Sequence, residues 1–245
     1  MKIVDTGAGL LTPDPWLTET LGIETFSLGA VPVTAAQVRA ALKSLRAGRG
    51  FVFAKVPTAD VARVTLLESC GFNVVDTQIT LQHREHVPAA AQPAQVRVAA
   101  PEDRVPVGDI AAGCFRYSRF HQDRRIGAQA ANRVKRRWAE NCVAGARGKE
   151  VLVASLDGKT AGFLAVALSG QVAVIDLIGV ELKMQGKGIG SALVEAFVSR
   201  WRSKAKSLRV GTQISNAASL RLYQRCGFFF QDAQYVLHAH VPEGS

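Results

Sequence analysis

The sequence predicts an α/β chain built on a mixed sheet with flanking helices. Three observations carry that expectation. An apolar run ending at Val180 passes through the glycine-rich stretch Gln185-Gly-Lys-Gly-Ile-Gly190 and straight into a helix-forming segment. Upstream of it, short apolar runs are separated by Asp157-Gly158 and Ser169-Gly170, residue pairs suited to tight hairpin loops. The first half of the chain also repeats part of the second at a fixed offset.

Taken in order, Gln37–Ala47 reads as a helix and Phe51–Lys55 as a strand. Cys70–Leu81 matches Cys226–Leu237 at six identical positions, among them Asp76 with Asp232 and Gln78 with Gln234. Residues 1–85 therefore read as the back half of a second copy of the unit that follows. His86–Gln95 is poor in charge and holds two prolines, the composition of an interdomain linker. From residue 96 to 245 the pattern is that of a complete unit. A short strand at Val96–Ala99 leads to a helix covering Val107–Cys114, an arginine-rich loop around Arg116–Arg125 and a helix at Ala128–Asn141. Strands follow at Val151–Leu156, Thr160–Leu168 and Val172–Val180. After the glycine stretch come a helix to about Lys204, a strand at Leu208–Thr212, a helix around Tyr223 and a last strand at Gln234–His240.

Composition narrows the function classes. With 245 residues, 48% of them apolar, the chain can bury one large core or two modest ones. No run approaches the roughly 18 apolar residues of a membrane span, and the first residues lack a signal-peptide pattern, so a cytoplasmic protein is expected. Cys70, Cys114, Cys142 and Cys226 stand apart with no histidines at ligand spacing, which reads as reduced thiols and no metal site. A formal charge of +10 calls for an anionic partner. Its basic runs lack the interleaved aromatics of a single-strand-binding surface, so a phosphorylated small molecule is favoured over nucleic acid.

The glycine stretch supplies the chemistry. Glycines at 186, 188 and 190 let the backbone turn tightly and bring successive N–H groups together at a helix N-terminus, which is a cradle for phosphate. It is not a P-loop, because Lys187 is followed by Gly188 and not by serine or threonine. Nor is it a dinucleotide fingerprint, since its third glycine comes one position early and late in the chain. Downstream, Asn216-Ala-Ala-Ser-Leu-Arg-Leu-Tyr-Gln-Arg-Cys-Gly-Phe228 reads as an amphipathic helix stopped by Gly227.

Gln185-x-x-Gly188-x-Gly190 after a strand, with Asn216-x-x-x-Leu220-x-x-Tyr223-x-x-x-Gly227-Phe228 beyond it, resembles the GCN5-related N-acetyltransferases, the GNAT family. The resemblance implies the acyl-CoA N-acyltransferase fold, here with a degenerate N-terminal half-unit, and acetyl-CoA as acyl donor. It implies that Gln185, Gly186, Lys187, Gly188, Ile189 and Gly190 hold the pyrophosphate. Ile178, Gly179 and Val180 would bind the pantetheine arm, Asn216 would contact the same arm, and the Tyr223 hydroxyl would act as acid toward the thiolate. The base that frees the amine is left open among Asp176, His121 and Glu181. The first half has no glycine cradle, and Leu67 stands where Tyr223 stands, so it is expected to bind no CoA and to frame the substrate. The loop Phe115-Arg-Tyr-Ser-Arg-Phe-His-Gln-Asp123 combines guanidinium groups suited to phosphate with flat rings that can cover a base or a sugar. Arg116, Tyr117, Arg119 and His121 are its candidate acceptor residues. Together these features resemble the subgroup that acetylates dTDP-fucosamine (dTDP-4-amino-4,6-dideoxygalactose), implying a nucleotide-linked amino sugar as acceptor and a possible homodimer. A departure lies at Leu222, where a basic residue is expected near the donor. Another amine (a protein N-terminus, a polyamine or an antibiotic) and a non-catalytic CoA-binding regulator are the alternative readings.

Overall fold

The computed structural model describes residues 10–45, 50–84 and 94–241. The chain divides into two compact units, Met1–Gln78 with Ala233–Ser245, and Ile79–Asp232. Most of the expected linker, residues 86–93, lies outside the described residues, and Gln95 already belongs to a strand.

The first unit contains β1 (Leu11–Pro13), α1 (Pro15–Leu21), β2 (Glu24–Leu28), α2 (Ala35–Ser44), β3 (Gly50–Pro57), α3 (Val61–Glu68) and the start of β4 (Asn73–His83). β2 and β3 pair in parallel along their common length, from Glu24 with Gly50 to Leu28 with Ala54. The far side of β3 pairs antiparallel with residues 234–241 of β10 (Phe228–Val241). Val38, Ala41, Val52, Ala54, Leu67, Phe72 and Leu237 form the buried cluster that closes this unit. β1, α1 and β2 were not expected from the sequence, and α2 ends at Ser44. β10 is longer than expected because it starts directly after Gly227. Its polar stretch from Gln231 to Gln234 reads as a break in the sequence, yet it remains extended.

The second unit contains β5 (Gln95–Val98), α4 (Arg104–Cys114), the short α5 (Arg119–Gln122), α6 (Ala128–Val143), β6 (Glu150–Leu156), β7 (Lys159–Ser169) and β8 (Val172–Val180). Then come α7 (Ile189–Trp201), β9 (Ser207–Gln213) and α8 (Ala217–Arg225). β5 to β8 pair antiparallel in sequence order, and β9 joins β8 in parallel. Asp157 (φ 51°) and Gly158 (φ 73°) close the β6–β7 hairpin with the left-handed pair that such a turn requires. α4 and α6 cover one face over Val107, Ala111, Ala139, Val151, Val153, Phe163, Ala165 and Leu177. The region expected as a loop between α4 and α6 contains one helical turn, α5. Phe120, 1% exposed, anchors it.

Two irregularities in β8 prepare the site. The β7–β8 register slips between Ala165 and Val166, leaving Asp176 as an extra residue between Ile175 and Leu177. Pairing with β9 then ends at Ile175 with Val210, although β8 runs on to Val180 and β9 to Gln213. The parallel strands part, and main-chain groups after Asp176 lose their neighbour on that side.

Candidate active site

The glycine stretch begins where β8 ends. The Glu181 N–H donates to Ala161 O at 2.9 Å, and a 3-10 turn over Leu182–Met184 carries the chain outward. Gln185 Nε2 donates to Val180 O at 3.2 Å, so this side chain braces the loop against its own strand. Gly186 (φ 77°) and Gly188 (φ 80°) both lie in the left-handed region, where a side chain would be strained. Gly188 is also the residue that starts α7. Among the described residues, no backbone hydrogen bond takes the N–H groups of Gly186, Lys187, Gly188, Ile189, Gly190 or Ser191. These unpaired donors sit at the positive end of α7, a site for an anionic oxygen cluster.

α2 occupies the corresponding place after β2, and a reciprocal side-chain cap takes part of its N-terminus. Thr34 Oγ1 accepts from the Gln37 N–H at 3.3 Å, while Gln37 Oε1 accepts from the Thr34 N–H at 2.9 Å. Pro32 in the preceding connection has no N–H to offer. α7 starts without a side-chain cap, whereas the start of α2 carries a capping box.

Close packing fixes the surrounding elements. A methyl on Gly179 would lie 2.7 Å from Phe163 Cε1 and 2.8 Å from Cys114 Sγ, so the end of β8 and the last turn of α4 touch only because residue 179 lacks a side chain. A methyl on Gly190 would lie 3.2 Å from Leu222 Cδ2. The apolar Leu222, where the sequence suggests a basic residue, is thus the α8 side of the α7–α8 contact. Ile189 is buried against β7 and contributes its N–H to the cradle, not its side chain. Lys187 is exposed, with Nζ 3.5 Å from Met184 Sδ.

Asn216 is the N-cap of α8, and its Oδ1 accepts from the Ser219 N–H at 3.2 Å. Tyr223 lies one helical face further on, 2% exposed, with its ring 6.2 Å from Phe228. Burial raises its phenol above the ordinary range, and the neighbouring Cys226 adds to the shift. The Cys114 thiol is pushed up to about 11 by burial, which keeps it protonated and unsuited to covalent attack at neutral pH.

Arg116, Tyr117, Arg119 and His121 fall together in the stretch joining α4 to α6, with Tyr117 44% exposed. His121 is held at both nitrogens, Nδ1 2.7 Å from Ser118 Oγ and Nε2 2.9 Å from Asn132 Oδ1. Burial lowers its pKa and so favours the neutral ring. Asp176, turned out by the bulge, accepts from Trp138 Nε1 at 2.8 Å and from Arg147 Nε at 3.3 Å. Two of the three candidate bases are therefore already engaged. Sequence reasoning passed over Lys135, which is buried beside this loop on α6. Nothing in the run Lys135-Arg-Arg-Trp138 distinguishes it from its neighbours until the helix phase is known.

Residues 108–228 match the family described as Acetyltransferase (GNAT) family. The chain carries a GNAT-family acetyltransferase domain. The match runs from α4 to the first residue of β10, so the GNAT domain includes the parted strands, the cradle and the Tyr223 helix. The chain is 29% identical over 139 residues to the spore coat polysaccharide biosynthesis protein SpsD of Bacillus subtilis strain 168, covering 56% of this chain and 48% of that protein. The chain thus spans about half the length of that relative. It is 26% identical over 191 residues to a dTDP-fucosamine acetyltransferase of Escherichia coli O6:H1, covering 76% of this chain and 80% of that one. A tandem GNAT protein from the clavulanic acid biosynthesis pathway superposes with a TM-score of 0.63 at 15% identity, over 91% of this chain and 77% of the other, a likeness of fold. Among the described residues of this GNAT-domain chain, no helix is long and apolar enough to cross a membrane.

Proposed function

We propose that this chain transfers the acetyl group of acetyl-CoA to the amino group of a nucleotide-linked aminodeoxy sugar. The observation that carries the reading is the row of unpaired N–H groups from Gly186 to Ser191, set just beyond the point where β8 and β9 part. A pyrophosphate accepts from such a row, and an extended pantetheine arm can lie along the free edge of Ile178, Gly179 and Val180 as a strand would. In this reading Gln185 braces the loop, while Asn216 sets the start of α8 and borders the arm.

Transfer needs the amine uncharged, the thioester carbonyl polarised and the departing sulfur stabilised. A main-chain N–H on the free edge of β8 aimed at the carbonyl oxygen contributes on the order of 3 kcal/mol to such a step. The amine nitrogen then bonds to the carbonyl carbon, and the C–S bond breaks with the electron pair leaving on sulfur. The nitrogen gives up its surplus proton to water, and the sulfur takes up one proton to depart as the thiol. Tyr223 faces that sulfur as hydrogen-bond donor, in the place of the acid that the family resemblance implies. Its raised pKa keeps the proton on the phenol. Because an ordinary thiol near ~8.5 is the stronger acid, the phenol stabilises the departing sulfur by donating a hydrogen bond, while full proton transfer to it is uphill.

The acceptor class is supported by Arg116, Tyr117, Arg119 and His121, which lie in the stretch that follows Cys114 at the end of α4, and by the name of the Escherichia coli relative. The first unit fits a degenerate half of a GNAT unit that contributes framing and no donor site. Its domain limits are taken as residues 1–85, with the catalytic domain from 96 onward. Thiol release from acetyl-CoA in the presence of dTDP- and UDP-linked amino sugars tests the function. Acceptor-dependent release that disappears with Gly188→Asp is expected. Binding of acetyl-CoA with no acceptor-dependent release across the amino-sugar panel would overturn it.

A further inference from the structure

Beside the acceptor loop lies a buried cation with no counter-ion. Lys135 is 8% exposed, and among the described residues its ammonium makes no hydrogen bond and no ion pair. Its Nζ lies 4.7 Å from the Phe115 ring centroid and 4.8 Å from that of Trp138. These aromatic faces hold the group in place without neutralising it.

The charges around it do not close the account either. Arg119 and Arg147 repel it, and Arg116 stands in the same loop, its charge reaching His121 together with that of Lys135. Asp176 is the carboxylate in electrostatic reach among the described residues, and its Oδ2 is already taken by Trp138 and Arg147. Cys114 is held protonated by burial, so it adds no negative charge. Burial, followed by repulsion from Arg119, lowers the Lys135 pKa to about 8. Enclosing an ammonium in this way is unfavourable unless an anion completes the site.

We propose that Lys135 is the buried counter-ion for a phosphate group of the acceptor. The proposal rests on the nucleotide-sugar reading and extends it to a residue on α6 that the acceptor loop alone does not include. An arriving phosphate raises the Lys135 pKa, so binding near pH 8 takes up a proton, about half of one per site if the free group is half ionised.

Calorimetric titration of the full chain with dTDP at pH 8, in buffers of different ionisation heat, reads both affinity and proton uptake. The wild type is expected to bind with uptake. Lys135→Met should weaken dTDP binding by about tenfold or more and abolish the uptake. Lys135→Arg should keep most of the affinity without uptake, because a guanidinium stays charged at this pH. Wild-type affinity in Lys135→Met, dTDP binding without proton uptake, or no dTDP binding by the wild type would each overturn the proposal. Acetyl-CoA titrated in parallel separates the readings. Retained acetyl-CoA affinity with unaltered dTDP behaviour sinks only the Lys135 assignment, whereas loss of acetyl-CoA binding in the wild type sinks the acetyltransferase reading. Should Lys135→Met fail to fold, Lys135→Arg still decides through its proton count.

Discussion

Tyr223 shows how one buried side chain ties mechanism to stability. The folded state raises its pKa, so the stability linked to its protonated form is whole below the ordinary phenol value near ~10. That contribution is lost as pH climbs from there through the folded value. Across the neutral range the phenol stays protonated and can serve as a donor. Tyr223→Phe is expected to lower turnover by roughly 10²–10⁴-fold while acetyl-CoA affinity changes little. Steady-state kinetics beside a binding titration would check it, and an equal loss in both would contradict the assigned role. In the acceptor loop, replacing Arg116 and Arg119 with alanine should raise the acceptor KM by about tenfold or more with acetyl-CoA KM unchanged, as double-substrate kinetics would read. The helix of Tyr223 was legible because it carries a spaced motif. Lys135 was not, because three adjacent cations look alike in sequence and only the turn of α6 buries one of them. Leu222, a departure from the family pattern in sequence, makes packing sense beside Gly190.

At the scale of elements, the site depends on β8 being regular up to Ile175 and irregular afterwards. The bulge turns Asp176 toward α6, and the end of pairing with β9 frees the edge that follows. The hairpins on either side of β7 were legible: Asp157-Gly158 states its turn directly, while Ser169-Gly170 marks the second one residue early, since Ser169 pairs with Val172 and the loop is Gly170-Gln171. The bulge was not, because an apolar run with one aspartate reads the same with or without an extra residue. Gly179 reports on this region. Gly179→Ala places a methyl 2.7 Å from Phe163 Cε1 and 2.8 Å from Cys114 Sγ, so a loss of about 1–3 kcal/mol is expected in denaturant unfolding. Gly190→Ala meets only the flexible end of Leu222 at 3.2 Å and should cost clearly less. Equal losses would mean that β8 does not rest on α4 as tightly as the geometry states.

Across the whole chain, the same series of elements occurs twice. β2, α2, β3, α3 and β4 follow the order of β8, α7, β9, α8 and β10, and Asp60 caps α3 as Asn216 caps α8. The repeat was visible in sequence through Cys70-Gly-Phe and Cys226-Gly-Phe, whose glycines both adopt positive φ, 92° and 79°. The two series differ in ways that the sequence does not show. β2 and β3 stay paired along the whole of β2, Pro32 removes a donor, and Thr34 with Gln37 caps the start of α2, taking the N–H groups of both residues. In the other copy the strands part, and six consecutive N–H groups stand open. Two similar halves therefore predict one donor site. Isothermal titration should give a stoichiometry of one acetyl-CoA per chain, and Gly188→Asp should abolish all of it, because a carboxylate then occupies the place of the pyrophosphate. A second equivalent bound, or binding that survives Gly188→Asp, would show that the capped N-terminus of α2 also takes the ligand.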